Sequence, residues 1–454
     1  MSPLTQWHSR SDPAGEVALD RRAERARRTV GALLVWAALI AVGGGLVELV
    51  RTPERNIRLN APPLTGVFDW RPEPLTLVAV AVGLVVALGA PYAATRLGWR
   101  TLLLAATVAA AVWAVALALG EGWDLGILRP VELPKEYLAS VPLVGSPGDF
   151  LTTFTDRIRD YGIHVQGHPP GLLLALVGLD RVGLGGSGWA AGLFIAGGAL
   201  AVPATLVSVR EVAGEGAARH ALPFVVVAPA AIWIASTADA LYAGVGAWAI
   251  TLVVLATGRR GRRADALALV GGLLFGATAM LSYGLVLLAL IPVVIAAHRR
   301  RLRPIVVAAL AGSSVLLGFL VAGFWWFDGL LTTRERYFAG VGGRRPYLVF
   351  LIADLAILAV VLGPAIAVAL GRLRDHAVWL LVGSAAAAVA LADLTGMAKG
   401  EVERIWLPFT PWILVAGLAL FTGTGPRARW RASGWLAVQV FAAVVTQTLV
   451  NSPW

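Results

Sequence analysis

The sequence predicts an all-α polytopic membrane protein with about 13 transmembrane helices. Hydrophobic residues make up 58% of the chain and charged residues only 14%. Apolar runs of about 16 to 24 residues recur along its length, and about 20 suffice for a helix to cross a bilayer. The runs are continuously rich in Leu, Ala and Val, whereas the strands of a membrane barrel alternate over about 10 residues, so helices are expected. There is no cysteine, which excludes disulfides and thiolate metal sites.

The chain opens on a basic tail, 1–29, in which Arg21, Arg22, Arg25, Arg27 and Arg28 precede the run Val30 to Val50. That run is long enough to span and has no small-residue cleavage site, so it is predicted as a retained helix rather than a signal peptide. The expected spans are 30–49, 74–93, 101–119, 188–208, 221–237, 240–257, 265–281, 283–297, 304–325, 347–370, 376–393, 405–421 and 433–450. Segment 169–183 is short, begins with Pro169-Pro170 and ends in Asp180-Arg181. A crossing there would set the basic loops at Arg259 to Arg263 and His298 to Arg301 opposite the basic N-terminus. It is therefore expected to lie in the outer interface. The organisation that follows is a cytoplasmic tail 1–29, two helices and an external loop in 30–100, a core 101–425 with the external loop 120–187, and a last helix in 426–454. No internal repeat is visible, which argues against a transporter built of two similar halves.

With this topology, 23 of the 38 Lys/Arg and 8 of the 27 Asp/Glu are cytoplasmic, leaving 15 and 19 outside or within the membrane. The +11 net charge thus reports orientation and contact with anionic lipid, and no nucleic-acid partner is expected. The Arg/Ala/Gly/Val-heavy composition suits a GC-rich bacterial genome, so a bacterial plasma membrane is the expected location. External segments at Arg51 to Glu73, 120–187, Trp325 to Tyr347 and Asp393 to Arg404 face one another, with Ser236 to Asp239 and Ser282-Tyr283 between them. The stretch Gly120 to Gly167 is the longest polar piece and concentrates Asp124, Glu132, Glu136, Asp149, Asp156 and Asp160 beside His164 and His168.

Two motifs give this arrangement a family likeness. Gly167-His168-Pro169-Pro170-Gly171 resembles the His/Lys-Pro-Pro-Leu segment, and Arg404-Ile405-Trp406-Leu407-Pro408-Phe409-Thr410-Pro411 the Arg-Tyr-x-Leu-Pro-x-x-Pro segment, of the GT-C glycosyltransferases. Protein O-mannosyltransferases and lipid A aminoarabinose transferases are the most similar members, and the likeness runs from about 101 to 425. It implies transfer of a sugar from a polyprenyl-phosphate donor to an extracytoplasmic glycan, lipid or protein acceptor. The family's acidic motif, Asp-Glu or Asp-x-Asp followed by Tyr, is not reproduced, and Glu132-Leu133-Pro134-Lys135-Glu136-Tyr137 stands in the corresponding loop.

Such a reaction requires a carboxylate to take the acceptor's proton and cationic or hydrogen-bonding groups to stabilise the departing phosphate. One carboxylate suffices for a single inverting displacement, unlike the pair of a glycoside hydrolase. Glu136, Asp124 and Glu132 are the candidate bases. Glu136 sits beside Tyr137 in the family's acidic-then-Tyr order, and Asp124 follows directly on a span. Arg404, at the outer start of a span, is the first candidate for the donor phosphate because its fork of donors stays charged. His168, His164, Arg344 and Arg345 are further candidates, with Arg334 and Arg336 in the same loop as the last pair. Tyr137, Asp239 and Tyr337 are candidate substrate contacts, and Asp354 and Asp393 are acids at membrane depth. His164 and His168 stand i, i+4, but Pro169 and Pro170 follow and no third ligand stands near, so neither a metal nor another cofactor is expected. A transporter would spread its charges along the membrane depth, and a scaffold would not need these two motifs to meet. Gathering of charge at one face favours an interfacial enzyme.

Overall fold

A computed structural model of the chain describes residues 13–235, 237–423 and 425–452, with side chains from residue 23 onward. The first part of the basic tail, the side chains of Arg21 and Arg22, and Ser236 lie outside the described residues. The chain is an all-α polytopic membrane protein. In order its helices are α1 (Pro13–Val50), α2 (Thr76–Arg96), α3 (Trp99–Ala118), α4 (Arg129–Glu132), α5 (Pro147–Thr153), α6 (Ile163–Gln166), α7 (Gly171–Arg181), α8 (Ser187–Ala213), α9 (Glu215–Val226), α10 (Ala238–Thr257) and α11 (Gly261–Leu281). There follow α12 (Leu290–His298), α13 (Arg303–Val321), α14 (Trp326–Ala339), α15 (Val341–Arg344), α16 (Tyr347–Leu362), α17 (Pro364–Arg372), α18 (His376–Leu394), α19 (Val402–Ile405), α20 (Thr410–Leu414) and α21 (Pro426–Leu449). A two-residue strand, β1 (Val67–Phe68), pairs antiparallel with β2 (Val450–Asn451), tying the first long loop to the end of the last helix.

Among the described residues nine helices are long and apolar enough to cross a membrane, and a tenth span is counted if α16 and α17, bent by 96° at Gly363, are taken together. The three remaining apolar stretches of the expected thirteen are broken. Proline is the cause in two of them. Segment 221–237 leaves the helix after Val226, passes through extended Ala228 before Pro229, and resumes as a 3₁₀ turn. Segment 405–421 carries Pro408 and Pro411 and alternates between single α and 3₁₀ turns. Segment 283–297 opens as a 3₁₀ turn and only then becomes α12.

Broken backbone at membrane depth must be satisfied by protein, since lipid offers no partner. The two proline-broken segments accordingly lie in the middle of the bundle: residues 225–233 and 406–417 are buried throughout, and Trp113 Nε1 donates to the carbonyl of Ala228 at 3.3 Å. At the α16–α17 bend, Gln439 of α21 donates to Leu362 O at 2.8 Å and accepts from Ala365 N at 3.1 Å. Gly363 there has φ +79°, and a Cβ would sit 2.3 Å from the Gln439 amide oxygen. Of the whole helices, α8 and α10 sit in the interior, with 67% and 72% of their most apolar stretches buried, whereas α1 and α13 lie at the periphery, at 11% and 22%.

Contacts divide the loops between two ends of the bundle. At one end Arg219 donates to Ala94 O and Leu97 O, Glu211 takes Arg259 and Arg299, and Arg303 pairs with Asp265. At the other Arg71 pairs with Glu121, Thr333 donates to Gln166 O, and Thr65 N donates to Glu403. Helix α7 belongs to this second end. It is 11 residues long, about 16 Å at 1.5 Å per residue, too short to cross. Leu172, Leu173, Leu176 and Val177 are buried while Ala175, Gly178 and Asp180 are exposed, the pattern of a helix lying on the bundle.

Candidate active site

A small cavity at the second end is walled by Glu136, Tyr137, His164, His168, Asp239 and Arg404, closed by Thr237, Ala238 and Tyr242. Its water-accessible volume is about 10 Å³, room for about one water. The sequence separation is wide. The walls come from the loop after α4, from α6 and its sequel, from the first turn of α10 and from α19.

Local sequence explains how each wall is held. Gly162 lies against the backbone oxygens of Pro134, Lys135 and Glu136, and a Cβ there would come within 3.0 Å of all three. Only glycine lets the two segments approach so closely. Gly162 N then donates to Ser140 Oγ and His164 N to Lys135 O, which presents His164 to Glu136. Before α19 the chain turns through Gly400 and Glu401, at φ +75° and +65°, and this reversal points Arg404 back at α10.

A continuous polar chain results. Glu136 Oε2 is 2.7 Å from His164 Nδ1, and His164 Nε2 is 3.2 Å from an Arg404 Nη. Arg404 donates to Asp239 Oδ2 at 2.8 Å and to Glu401 Oε2 at 3.3 Å. Because arginine can only donate, His164 Nε2 must be the acceptor. The imidazole proton is therefore on Nδ1 and is donated to the Glu136 carboxylate. Burial, followed by the Arg404 charge, holds His164 well below its usual pKa, in keeping with a neutral ring. His168 Nδ1 donates to His164 O at 2.7 Å, which leaves Nε2 as its acceptor, and burial lowers its pKa too. Tyr242 and Tyr137 hydroxyls are 2.8 Å apart, and both rings flank His168.

Burial pushes the Glu136 carboxyl up to about 7, against the pull of Arg404, Lys135 and His168. Burial also lowers the neighbouring Lys135 to about 8. Glu401 behaves differently: burial opposes its charge, but Arg404 and Arg345 outweigh that and hold it below the usual carboxylate value. The site thus combines one carboxyl poised near neutrality with a second, Glu401, held ionised beside an arginine.

Other residues singled out from the sequence lie elsewhere. Asp124 and Glu132 are exposed and do not line the cavity, because the π-helical turn Asp124–Leu128 and the end of α4 turn them outward where water solvates them. Arg344 is exposed as well. Arg345 is buried, donates to Ile57 O at 3.0 Å and to Lys399 O, and stands 3.6 Å from Glu401, so it braces the turn before α19 from behind. The Tyr337 hydroxyl accepts from Lys399 N at 2.8 Å in the same brace. Asp354 accepts from Gly400 N at 2.8 Å. His164 has both ring nitrogens engaged, which makes it a link between Glu136 and Arg404. Lys135, Glu401 and Tyr242 were not singled out. Lys135 and Glu401 carry a sequence signal in hindsight, one adjacent to Glu136 and the other i−3 from Arg404; Tyr242 is one turn along α10 from Asp239.

No protein-family model matches the chain, and no curated protein sequence does. Among solved structures, the crystal structure of the Archaeoglobus fulgidus oligosaccharyltransferase complex with Zn and sulfate aligns over 84% of this chain and 54% of that one, at 15% identity and a TM-score of 0.44. The chain therefore spans about half the length of that structure. A match at this score carries no argument about activity.

Proposed function

We propose that the chain is a GT-C-type membrane glycosyltransferase that moves a sugar from a polyprenyl-phosphate donor to an extracytoplasmic acceptor by inverting displacement. The supporting observation is the Glu136–His164–Arg404–Asp239 chain around one cavity, at the end of the bundle away from the basic loops. Glu136 takes the proton of the acceptor hydroxyl as that oxygen bonds to the anomeric carbon. The bond from the anomeric carbon to the phosphate oxygen breaks, its electrons pass to that oxygen, and the polyprenyl phosphate leaves as an anion. His164 keeps Glu136 aimed by donating its Nδ1 proton to that carboxylate while Nε2 accepts from Arg404. The permanently charged Arg404, which lines the cavity with His168, stabilises the departing phosphate. Room for about one water is too little for a sugar phosphate, so the segments over the cavity part when the donor enters.

The test is transfer of label from a panel of radiolabelled polyprenyl-phosphate hexoses and pentoses by the full chain in nanodiscs. Transfer to water or to an added membrane extract is expected from at least one donor. Arg404→Lys replaces a fork by a point charge that cannot serve Asp239, His164 and Glu401 together. Donor binding should weaken by about 1.5–3 kcal/mol, the worth of a charged hydrogen bond. Absence of transfer from every donor, or passage of labelled lipid across a vesicle without transfer, would defeat the reading.

A further inference from the structure

A larger cavity opens on the same end of the bundle, beside the site already described. Its volume is about 270 Å³, near the lower end of the ~300–1,000 Å³ typical of small-molecule sites. It lies between the outer ends of α3 and α21. A π-helical turn, Asp124–Leu128, widens the chain there, and Gly126 passes so close to α3 that a Cβ would fall 1.9 Å from Ala118 O. Such turns are rare and recur at functional sites.

Its walls have two characters. Leu125, Leu133 and Ile232 give it an apolar side. Glu121, Arg129, Gln447, Asn451 and Ser452 give it a polar side. Glu121 is neutralised by Arg71 at 3.0 Å. The side chains of Arg129, Gln447 and Asn451 make no hydrogen bond or ion pair among the described residues, and Ser452 Oγ is buried without a partner. A buried polar atom is rarely left so, and Ser452 Oγ, with the exposed Arg129 and the half-buried Gln447 and Asn451 around the same void, points to a ligand. Two amides, a guanidinium and a hydroxyl offer paired donors and acceptors suited to adjacent hydroxyls, while the apolar side suits the C–H face of a sugar ring. One uncompensated positive charge, Arg129, leaves the space open to neutral or singly anionic sugars.

The two cavities flank one short stretch of chain. Arg129 and Leu133 line the larger and Glu136 and Tyr137 the smaller, one turn on, with Glu136 N donating to Leu133 O at 2.8 Å. We infer that the larger cavity is a sugar-binding subsite that holds the acceptor's glycan beside Glu136. This inference rests on the glycosyltransferase reading.

Saturation-transfer NMR on the full chain in nanodiscs, with methyl α-mannoside, methyl β-galactoside and methyl β-glucuronide as probes, tests it without any turnover. At least one probe should bind. Its Kd should rise at least about tenfold, some 1.4 kcal/mol, in Gln447→Trp, which fills the cavity, and in the exposed Arg129→Ala, which leaves packing untouched. Failure of all three probes to bind, or binding that survives both variants, would overturn the subsite. So would binding lost in Glu136→Gln and kept in the two cavity variants, which would move the sugar to the smaller cavity. Sugar binding with the expected variant pattern in a chain that transfers from no donor would sink the enzymatic reading and leave the subsite standing.

Discussion

The pair Glu136 and His164 defines what the site can do with a proton. A buried carboxyl at about 7 is a base only when ionised, so transfer should rise with pH through about 7 and flatten above it. Glu136→Gln keeps the acceptor oxygen for His164 but cannot take a proton. Donor binding should survive, transfer should fall by about 100-fold or more, and the limb near pH 7 should vanish from what remains. Glu403 supplies the control, since burial pushes it to about 7 as well, yet it accepts from Thr65 N at 3.2 Å and does not line the cavity. Glu403→Gln should leave the limb in place. Asp124→Asn, on an exposed carboxylate, should be without effect, and loss of transfer there with Glu136→Gln unharmed would reassign the base. At this scale the sequence was informative where type and order carry chemistry: Glu136 before Tyr137, His168 before two prolines, Arg404 before a late span. The link made by His164 was not legible. It depends on a close backbone approach at Gly162, which no local pattern records.

Among the elements, whole helices were legible and broken ones were not, for a physical reason. A continuous apolar run signals burial in lipid or protein without specifying how its backbone is paired, so hydropathy reads 221–237, 283–297 and 405–421 as spans like any other. Such breaks, and the α16–α17 bend within 347–370 with them, are paid for by specific neighbours. Gln439 is the clearest instance, fully buried in α21 and bonded to both Leu362 O and Ala365 N across the α16–α17 bend. Gln439→Leu keeps nearly the same volume and strands a carbonyl and an N–H at membrane depth. A loss of about 1–3 kcal/mol for each stranded group should lower the thermal midpoint of the protein in detergent, read by intrinsic tryptophan fluorescence. An unchanged midpoint would mean that the bend is satisfied in another way. Asp354, nine residues before the bend on α16, accepts from Gly400 N, so a shift of α16 in the same variant should also weaken donor binding.

For the molecule as a whole, side is the property that charge and contacts together determine. Nine helices, or ten spans with the bent α16–α17 pair, are long and apolar enough to cross; the proposed topology counts the three broken stretches as crossings too, with α9 beginning where Arg219 bonds Ala94 O and 405–421 beginning just after Arg404, which bonds Asp239. Segment 169–183 alone does not cross. That count puts the tail, the arginines at 259–263 and those at 299–303 at a common end, which the excess of basic loops on the cytoplasmic side marks as inside. On this topology Glu136 and Arg404 lie outside, the side on which the proposed lipid-linked donor would present its sugar. The absence of cysteine makes the test clean. Ser146→Cys and Ser187→Cys flank α7, and both should react with an impermeant thiol reagent in intact cells, whereas Arg262→Cys should react only after permeabilisation. Protection of Ser187→Cys with labelling of Ser146→Cys would make 169–183 a true crossing, reverse every loop downstream of it, and set Asp239 and Arg404 on the opposite side from Glu136. The 2.7 Å and 3.2 Å contacts that join them through His164 forbid that arrangement, so labelling at both positions is the outcome the site itself requires.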